Sequence, residues 1–344
     1  GVLAGRARAS HWSHRGRRNV DCPESGAVSS PLARQAKTVR VRINRRLRRS
    51  LPRPAYLKVL GGYNGARAIV RRGPGAGRLL PDFVIIGAAK AGTTSLYGWL
   101  SEHPFVASAT TKEVHYFDYN YFRGLDWYRA HFPLERERDL FAQRHGRPFL
   151  TGEASPSYIS HYWAPERLAR RLPNVKLLVT LRNPVDRAYS QFQMSRREQE
   201  EPLDSFDQAL AAEADRLRPE WIRMRADRTY QSWPYGCWSY QDRSLYAEQL
   251  ERWFKLFPRE QFHFLTLEDL SARPGETLDA VHEFLELPPH RPANLPHLHA
   301  AQYDSLAPET RERLQEYFRP HNQRLYELVG RDLGWNRQSG QMPA

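Results

Sequence analysis

The stretch "GAAKAGTTSLYGWL", residues 87–100, has the outline of a phosphate-gripping loop. Gly87 and Gly92 enclose four residues, the hydroxyls of Thr93, Thr94 and Ser95 follow, and the short apolar run "DFVIIG" comes directly before. A buried strand that enters a glycine-containing turn and leaves it as a helix aims loop amides and a helix N-terminus at one point, and that point attracts anions. The glycines permit the turn and a close backbone approach to the ligand. A nucleoside triphosphatase places its lysine directly after the second glycine and uses the next hydroxyl for Mg²⁺. Here Thr93 stands in that place, and the lysine has moved inside the loop, to Lys90. Transfer of a sulfuryl group, which carries less charge than a terminal phosphoryl group, accounts for the difference: one lysine at the bridging oxygen can steady the leaving group without a metal. The plainer alternative is a structural turn in which Lys90 is incidental.

Farther along, "VKLLVTLRNPVDRAYSQF" puts Arg182 at the C-terminal end of the clearest core strand in the chain. Pro184 opens the next helix, and Ser190 lies on it, eight residues past Arg182. Ligands of open α/β sheets collect at the C-terminal edges of the strands, so Arg182 can reach the same crevice as the loop. With Ser190 it could hold a second phosphate by charge-assisted hydrogen bonds. A structural ion pair is the other reading of Arg182.

Around these two segments, strand-like and helical stretches alternate. "FLTGEAS" and "QFHFLTLEDL" read as strands. "APERLARRLP", "DRSLYAEQLERWFKLFP" and "RPGETLDAVHEFLEL" read as helices, and "PETRERLQEYFRPHNQRLYELVG" as a helix interrupted at Pro320. The alternation predicts an α/β, P-loop-type three-layer fold: a central, mostly parallel sheet flanked by helices. With 344 residues, 40% of them hydrophobic, there is enough material for one large domain. Charge is unevenly placed. Residues 1–80 hold 19 of the 52 Lys+Arg and 2 of the 38 Asp+Glu, whereas the rest is nearly balanced. The expected organisation is therefore a basic extension over 1–80, disordered or partly helical, a globular domain over 81–338 and a tail over 339–344. Apolar residues interleave with arginines in the extension, so residues 40–72 are a candidate for membrane-surface or polyanion contact. Two cysteines make no disulfide framework, no Cys/His spacing fits a metal, and no apolar run is long enough to span a bilayer.

Together, "KAGTTSL" and "LRNPVDRAYS" resemble the two cofactor signatures of sulfotransferases that use 3′-phosphoadenylyl sulfate, PAPS. "KEVHYFD" (112–118), "GEASPSY" (152–158) and "SLYAEQLERWFKLFP" (244–258) look more narrowly like the branch containing the heparan sulfate N- and 3-O-sulfotransferases and their bacterial relatives. The resemblance runs from about Pro81 to Trp335. It implies that Lys90, Ala91, Gly92, Thr93, Thr94 and Ser95 grip the 5′-phosphosulfate, and that Arg182 and Ser190 grip the 3′-phosphate. It carries the catalytic base to Glu113, with Lys112 and Lys90 as the cations for the transferring group and leaving oxygen. His115 would orient the acceptor or share the proton work, or is a satisfied structural histidine. Asp118 would orient a lysine or bind acceptor hydroxyls. Tyr246 is expected near the cofactor, and the Trp- and Tyr-rich stretch "DRTYQSWPYGCWSYQDRS" either lines an acceptor cleft or packs over the sheet. No metal is expected. The region "RPANLPHLHAAQYDSLAPETRERL" lacks the cysteine and the basic cluster that animal members carry there; His297 and His299 are the available substitutes. These departures count against a Golgi location and against heparan sulfate as the acceptor.

The sequence thus favours a bacterial, cytoplasmic enzyme, peripheral at the membrane if its basic arm engages lipid. It would move a sulfuryl group from PAPS to a hydroxyl, rather than an amine, of a carbohydrate or glycosylated metabolite. Two other classes remain open. A P-loop kinase-like phosphotransferase would need Mg²⁺. A polyanion-binding protein driven by the N-terminal arm would lose its function on deletion of residues 1–80. No specific nucleic-acid partner is implied.

Overall fold

A computed structural model describes residues 77–292 and 304–337. Five parallel strands form one sheet in the order β2-β3-β1-β4-β5, where β1 is Phe83–Gly87, β2 Val106–Ser108, β3 Leu150–Ala154, β4 Lys176–Leu181 and β5 Phe262–Thr266. Phe83 lies opposite Gly152 on one side and Lys176 on the other, and Leu177 lies opposite Phe262. Side chains alternate between the two faces of a strand, and both faces here are covered by helices, which is why β1 and β4 read as unbroken apolar runs. Val84 and Ile86 of β1 join Leu177 and Val179 in one core layer with Tyr158, Leu250 and Trp253. Phe83 and Ile85 join Leu178 in the opposite layer with Leu96, Trp99, Leu265 and Leu278. The mostly parallel, doubly covered sheet expected from the alternation is present.

The helices that position the site are α1 (Thr93–Leu100), α2 (Leu125–Arg129), α3 (Glu135–His145), α4 (Ala164–Arg171), α5 (Pro184–Arg197), α6 (Phe206–Ala226), α7 (Trp233–Trp238), α8 (Tyr246–Phe254), α9 (Leu267–Ala272), α10 (Pro274–Phe284) and α11 (Pro308–Val329). β2, α2, α3, α6 and α7 add to the elements read from the sequence, and α9 corrects the end of "QFHFLTLEDL", where the strand stops at Thr266 and a helix capped by its side chain begins. α11 corrects another, because it runs unbroken through Pro320. Proline removes one backbone hydrogen bond there. Leu314 and Phe318 before it and Leu325 and Val329 after it are all buried, and the helix packs against both α8 and α5. Tertiary burial outweighs the local loss.

The chain leaves β1 toward β3 and β2 on one side, then crosses to β4 and β5 on the other. The loop after β1 therefore sits at the switch point, where an open α/β sheet has its crevice. Gly87 begins that loop with φ 156°, and a Cβ there would lie 2.3 Å from Ile159 Cγ2 and 2.8 Å from the Pro156 carbonyl oxygen. Since one of the obstacles is backbone, repacking does not relieve the clash. Gly87→Ala is expected to destabilise the fold by about 1–3 kcal/mol, a cost typical of overpacking, read as a lower urea midpoint at unchanged slope.

The basic extension falls on residues 1–76, outside the described residues, as do His297 and His299. Gly77–Leu80 already belong to the fold: Arg78 bridges Leu134, and Leu79 is buried.

Candidate active site

The loop is pinned to the neighbouring strand by the Ala88 amide, which donates to the Thr180 carbonyl at 2.6 Å, and by the Thr180 hydroxyl, which donates to the Gly87 carbonyl at 3.0 Å. Lys90 takes a left-handed backbone, φ 72°, and Gly92 follows at φ 87° as the N-cap of α1. A Cβ on Gly92 would meet the movable end of Leu267, Cδ1 at 2.8 Å, and it is the positive φ that favours glycine there. With glycine at the cap, no side chain closes the N-terminus of α1. Thr93 and Ser95 are buried at its first turn, and Thr94 is half-buried.

Lys90 is a cation in cationic surroundings. Its ammonium lies 3.5 Å from the thioether of Met194. Burial first, and then the guanidinium of Arg197, partly offset by Glu198, hold its pKa down to about 8, with Arg182 and Arg187 adding to the effect. Arg182 lies over the same loop and donates to the Lys90 carbonyl at 3.3 Å. Its position is fixed from behind by the buried Tyr246, whose hydroxyl donates to the Arg182 carbonyl at 2.9 Å. Asn183 caps α5 through Val185 N at 3.0 Å, and Pro184 stands at its first turn. Ser190 is buried on the same helix. Arg187, Met194 and Arg197 of α5 also bear on the loop; Arg187 lies within "LRNPVDRAYS" without an assigned role, and the other two carry no motif of their own in the sequence.

On the other side of the loop, Lys112 spans two groups: its ammonium is 3.1 Å from Thr94 Oγ1 and 3.2 Å from Glu113 Oε1. Glu113 Oε2 is 2.8 Å from His115 Nε2, and His115 Nδ1 is 2.8 Å from Asp118 Oδ2. With a carboxylate at each ring nitrogen, both nitrogens are donors and the ring is an imidazolium. Burial works against that charge, yet Asp118 and Glu113 lift the His115 pKa well above its ordinary value. Burial likewise opposes ionisation of Glu113, but Lys112 and His115 pull its carboxyl down to about 2. Asp118 neither orients a lysine nor faces an acceptor. Its side chain is fully buried, accepts Ser157 Oγ at 2.5 Å and the Tyr119 amide at 2.6 Å, and anchors His115. Ser157 had no assigned part. The only sequence signal for it is the hydroxyl-rich run "GEASPSY".

The aromatic stretch divides. Cys237 and Tyr240 are core residues, whereas Trp233 of α7 is 42% exposed. Gln231 ties this stretch to the segment that carries Glu113 and His115 by donating to the Tyr119 carbonyl at 2.5 Å. Among the described residues no cluster of His, Cys, Asp and Glu could hold a metal ion, and no helix is long and apolar enough to cross a membrane.

A parallel α/β sheet with a cation-ringed loop at its switch point and a lysine-flanked carboxylate beside it defines an enzyme that transfers an anionic group. Comparison with known proteins gives the family. Residues 80–306 match the family described as the sulfotransferase domain, and the chain belongs to it. It is 30% identical to the membrane-associated sulfotransferase kil1 of Dictyostelium discoideum, over 76% of this chain and 68% of that one. It is 33% identical to heparan sulfate glucosamine 3-O-sulfotransferase 6 of Homo sapiens, over 76% of this chain and 75% of the other. A crystal structure of a sulfotransferase from Alicyclobacillus acidocaldarius superposes with a TM-score of 0.57 at 30% identity, covering 75% of this chain and all of that one. The protein is a sulfotransferase of α/β, P-loop-like fold.

Proposed function

We propose that the protein moves a sulfuryl group from PAPS to a hydroxyl of a carbohydrate or glycosylated metabolite, through the catalytic domain we assign to residues 81–338. One observation carries this reading: two runs of contacts meet on the same loop, one from Arg182 to the Lys90 carbonyl and one from Thr94 through Lys112 to Glu113 and His115. The groups needed for a nucleotide and for a proton transfer share one crevice.

The donor set suits an anion. Burial first and then the surrounding arginines, only partly offset by Glu198, lower the Lys90 pKa, and a bound phosphate would oppose both effects. Lys90, the loop from Ala91 to Ser95 and the uncapped start of α1 would hold the 5′ end, and Arg182 with Ser190 the 3′-phosphate. PAPS supplies an activated sulfuryl group and a phosphate leaving group. Glu113 takes the proton of the acceptor hydroxyl, and Lys90 and Lys112 oppose the negative charge that develops beside them. Lys112 holds the carboxylate down while it sits 3.2 Å from Glu113. An anion at Thr94 competes for that ammonium, so the base gains proton affinity when the loop is filled. Nucleotide before acceptor is the order this arrangement favours. The relative's name supports a carbohydrate acceptor such as a glucosamine-containing polysaccharide, and the half-open Trp233 suits stacking on a sugar face.

The test is incubation with labelled PAPS and a panel of polysaccharides, glycolipids and small alcohols, with and without Mg²⁺, alongside calorimetry with PAP. Label transfer that is indifferent to Mg²⁺ is expected; absence of PAP uptake by the intact chain would overturn the reading. Arg182→Ala is expected to weaken PAP by about 10–100-fold, the worth of a charged hydrogen bond, and to leave the analogue without a 3′-phosphate nearly unaffected. Equal losses for both nucleotides would remove the 3′-phosphate from Arg182.

A further inference from the structure

Glu153, in β3, is fully buried, and the site described so far gives it no task. Its carboxylate accepts three hydroxyls: Tyr128 at 2.8 Å, Tyr158 at 2.9 Å and Ser155 at 2.7 Å. Each hydroxyl has a single proton, and here that proton points at Glu153, which leaves lone pairs facing the other way. Those lone pairs meet the catalytic segment. Ser155 Oγ accepts the His115 amide at 3.0 Å, and Tyr158 Oη accepts the amides of Tyr116 at 2.8 Å and Phe117 at 3.3 Å. Three successive backbone donors are therefore organised by one carboxylate.

The first of them belongs to a residue with a strained backbone. His115 has φ 54°, in the left-handed region that a side-chain-bearing residue enters at a cost and keeps only when its surroundings over-determine it. From that backbone its ring reaches both Glu113 and Asp118 at 2.8 Å. We propose that Glu153 is a positioning residue for sulfuryl transfer: through Ser155 it holds the His115 backbone, through Tyr158 the backbone of Tyr116 and Phe117 that follows, and so it aims the Glu113 carboxylate at the acceptor proton. The proposal rests on the reading of Glu113 as base.

Glu153→Gln tests it, because the amide would donate to Ser155 Oγ and turn that hydroxyl's proton toward the His115 amide. The expected result is a kcat lower by about 10²-fold, the cost of misplacing a reacting group by an ångström, with PAP affinity within about twofold of wild type. The His115 ring, followed by NMR without PAPS or acceptor, should titrate nearer the ordinary value of about 6.5, since its two carboxylates no longer meet it squarely. Ser155→Ala and Tyr158→Phe, which each remove one acceptor, should reproduce both effects, and they decide the matter if Glu153→Gln does not fold. An unchanged His115 titration in folded variants overturns the proposal, as does a kcat loss that merely tracks lost PAP affinity. A wild-type chain that binds no PAP sinks the catalytic reading instead, and the His115 titration then decides the positioning by itself.

Discussion

Glu113→Gln is expected to lower turnover by about 10²–10⁴-fold, the range a positioned general base contributes, while PAP affinity stays near wild type. Glutamine keeps the shape and leaves the loop and Arg182 untouched. Its one carbonyl oxygen can still accept from Lys112, although its NH₂ cannot accept from His115 as the second carboxylate oxygen does. What it loses is the capacity to take a proton. The free carboxyl, held down to about 2 by Lys112 and His115 against the pull of burial, is ionised across the neutral range. A carboxylate so strongly paired is a poor base, which is why the companion variant is informative. Lys112→Ala removes one of the two cations and should raise the Glu113 pKa toward the ordinary carboxylate range. The acid limb of the kcat profile then moves to higher pH, because activity is lost as pH falls through the pKa of the base. If Glu113→Gln instead weakens PAP and spares the chemical step, the residue belongs to nucleotide binding and the base must be sought elsewhere.

The parts of this site that a reader of the sequence can see are those fixed by local chemistry. β1 and β4 announce themselves because strands buried on both faces must be apolar throughout, and Gly87 and Gly92 because the turn needs a close backbone approach at the first and a positive φ at the second. Lys90 and Arg182 are legible as members of one crevice because the ends of parallel strands must share an edge. The hidden parts depend on contacts between distant segments. Ser157 meets the His115–Asp118 pair from 42 and 39 residues away, and no spacing rule reports that. Asp118 reads as a carboxylate for a lysine or for acceptor hydroxyls until the fold buries it beneath His115. The strand order is equally mute in sequence, since β2 has only three residues and its place beside β3 is set by pairing. Proline misleads in a consistent direction: Pro320 signals a break, but the buried faces on either side of it hold α11 straight through.

Lys90→Ala should reduce transfer by about 10²–10³-fold, as for the loss of one preorganised donor at a developing charge, with the fold retained. Its second signature concerns protons. In the free protein Lys90 titrates near 8, pressed down by burial and by Arg197, Arg182 and Arg187. An anion in the loop stabilises the ammonium and raises that pKa, so binding must take up a proton wherever the free lysine is partly neutral. At pH 6 the lysine is already charged and uptake is negligible. At pH 8 about half a proton should enter per PAP bound, and above that pH the affinity should fall by up to about tenfold per unit until the pKa of the bound state is passed. Calorimetry of PAP binding in buffers of different ionisation enthalpy reads this uptake directly. The alanine variant has no such group and should show none, with a flatter dependence of affinity on pH. Uptake that persists unchanged in Lys90→Ala would assign the proton to another residue, and near-normal turnover would leave the loop an anion cradle whose lysine takes no part in the transfer.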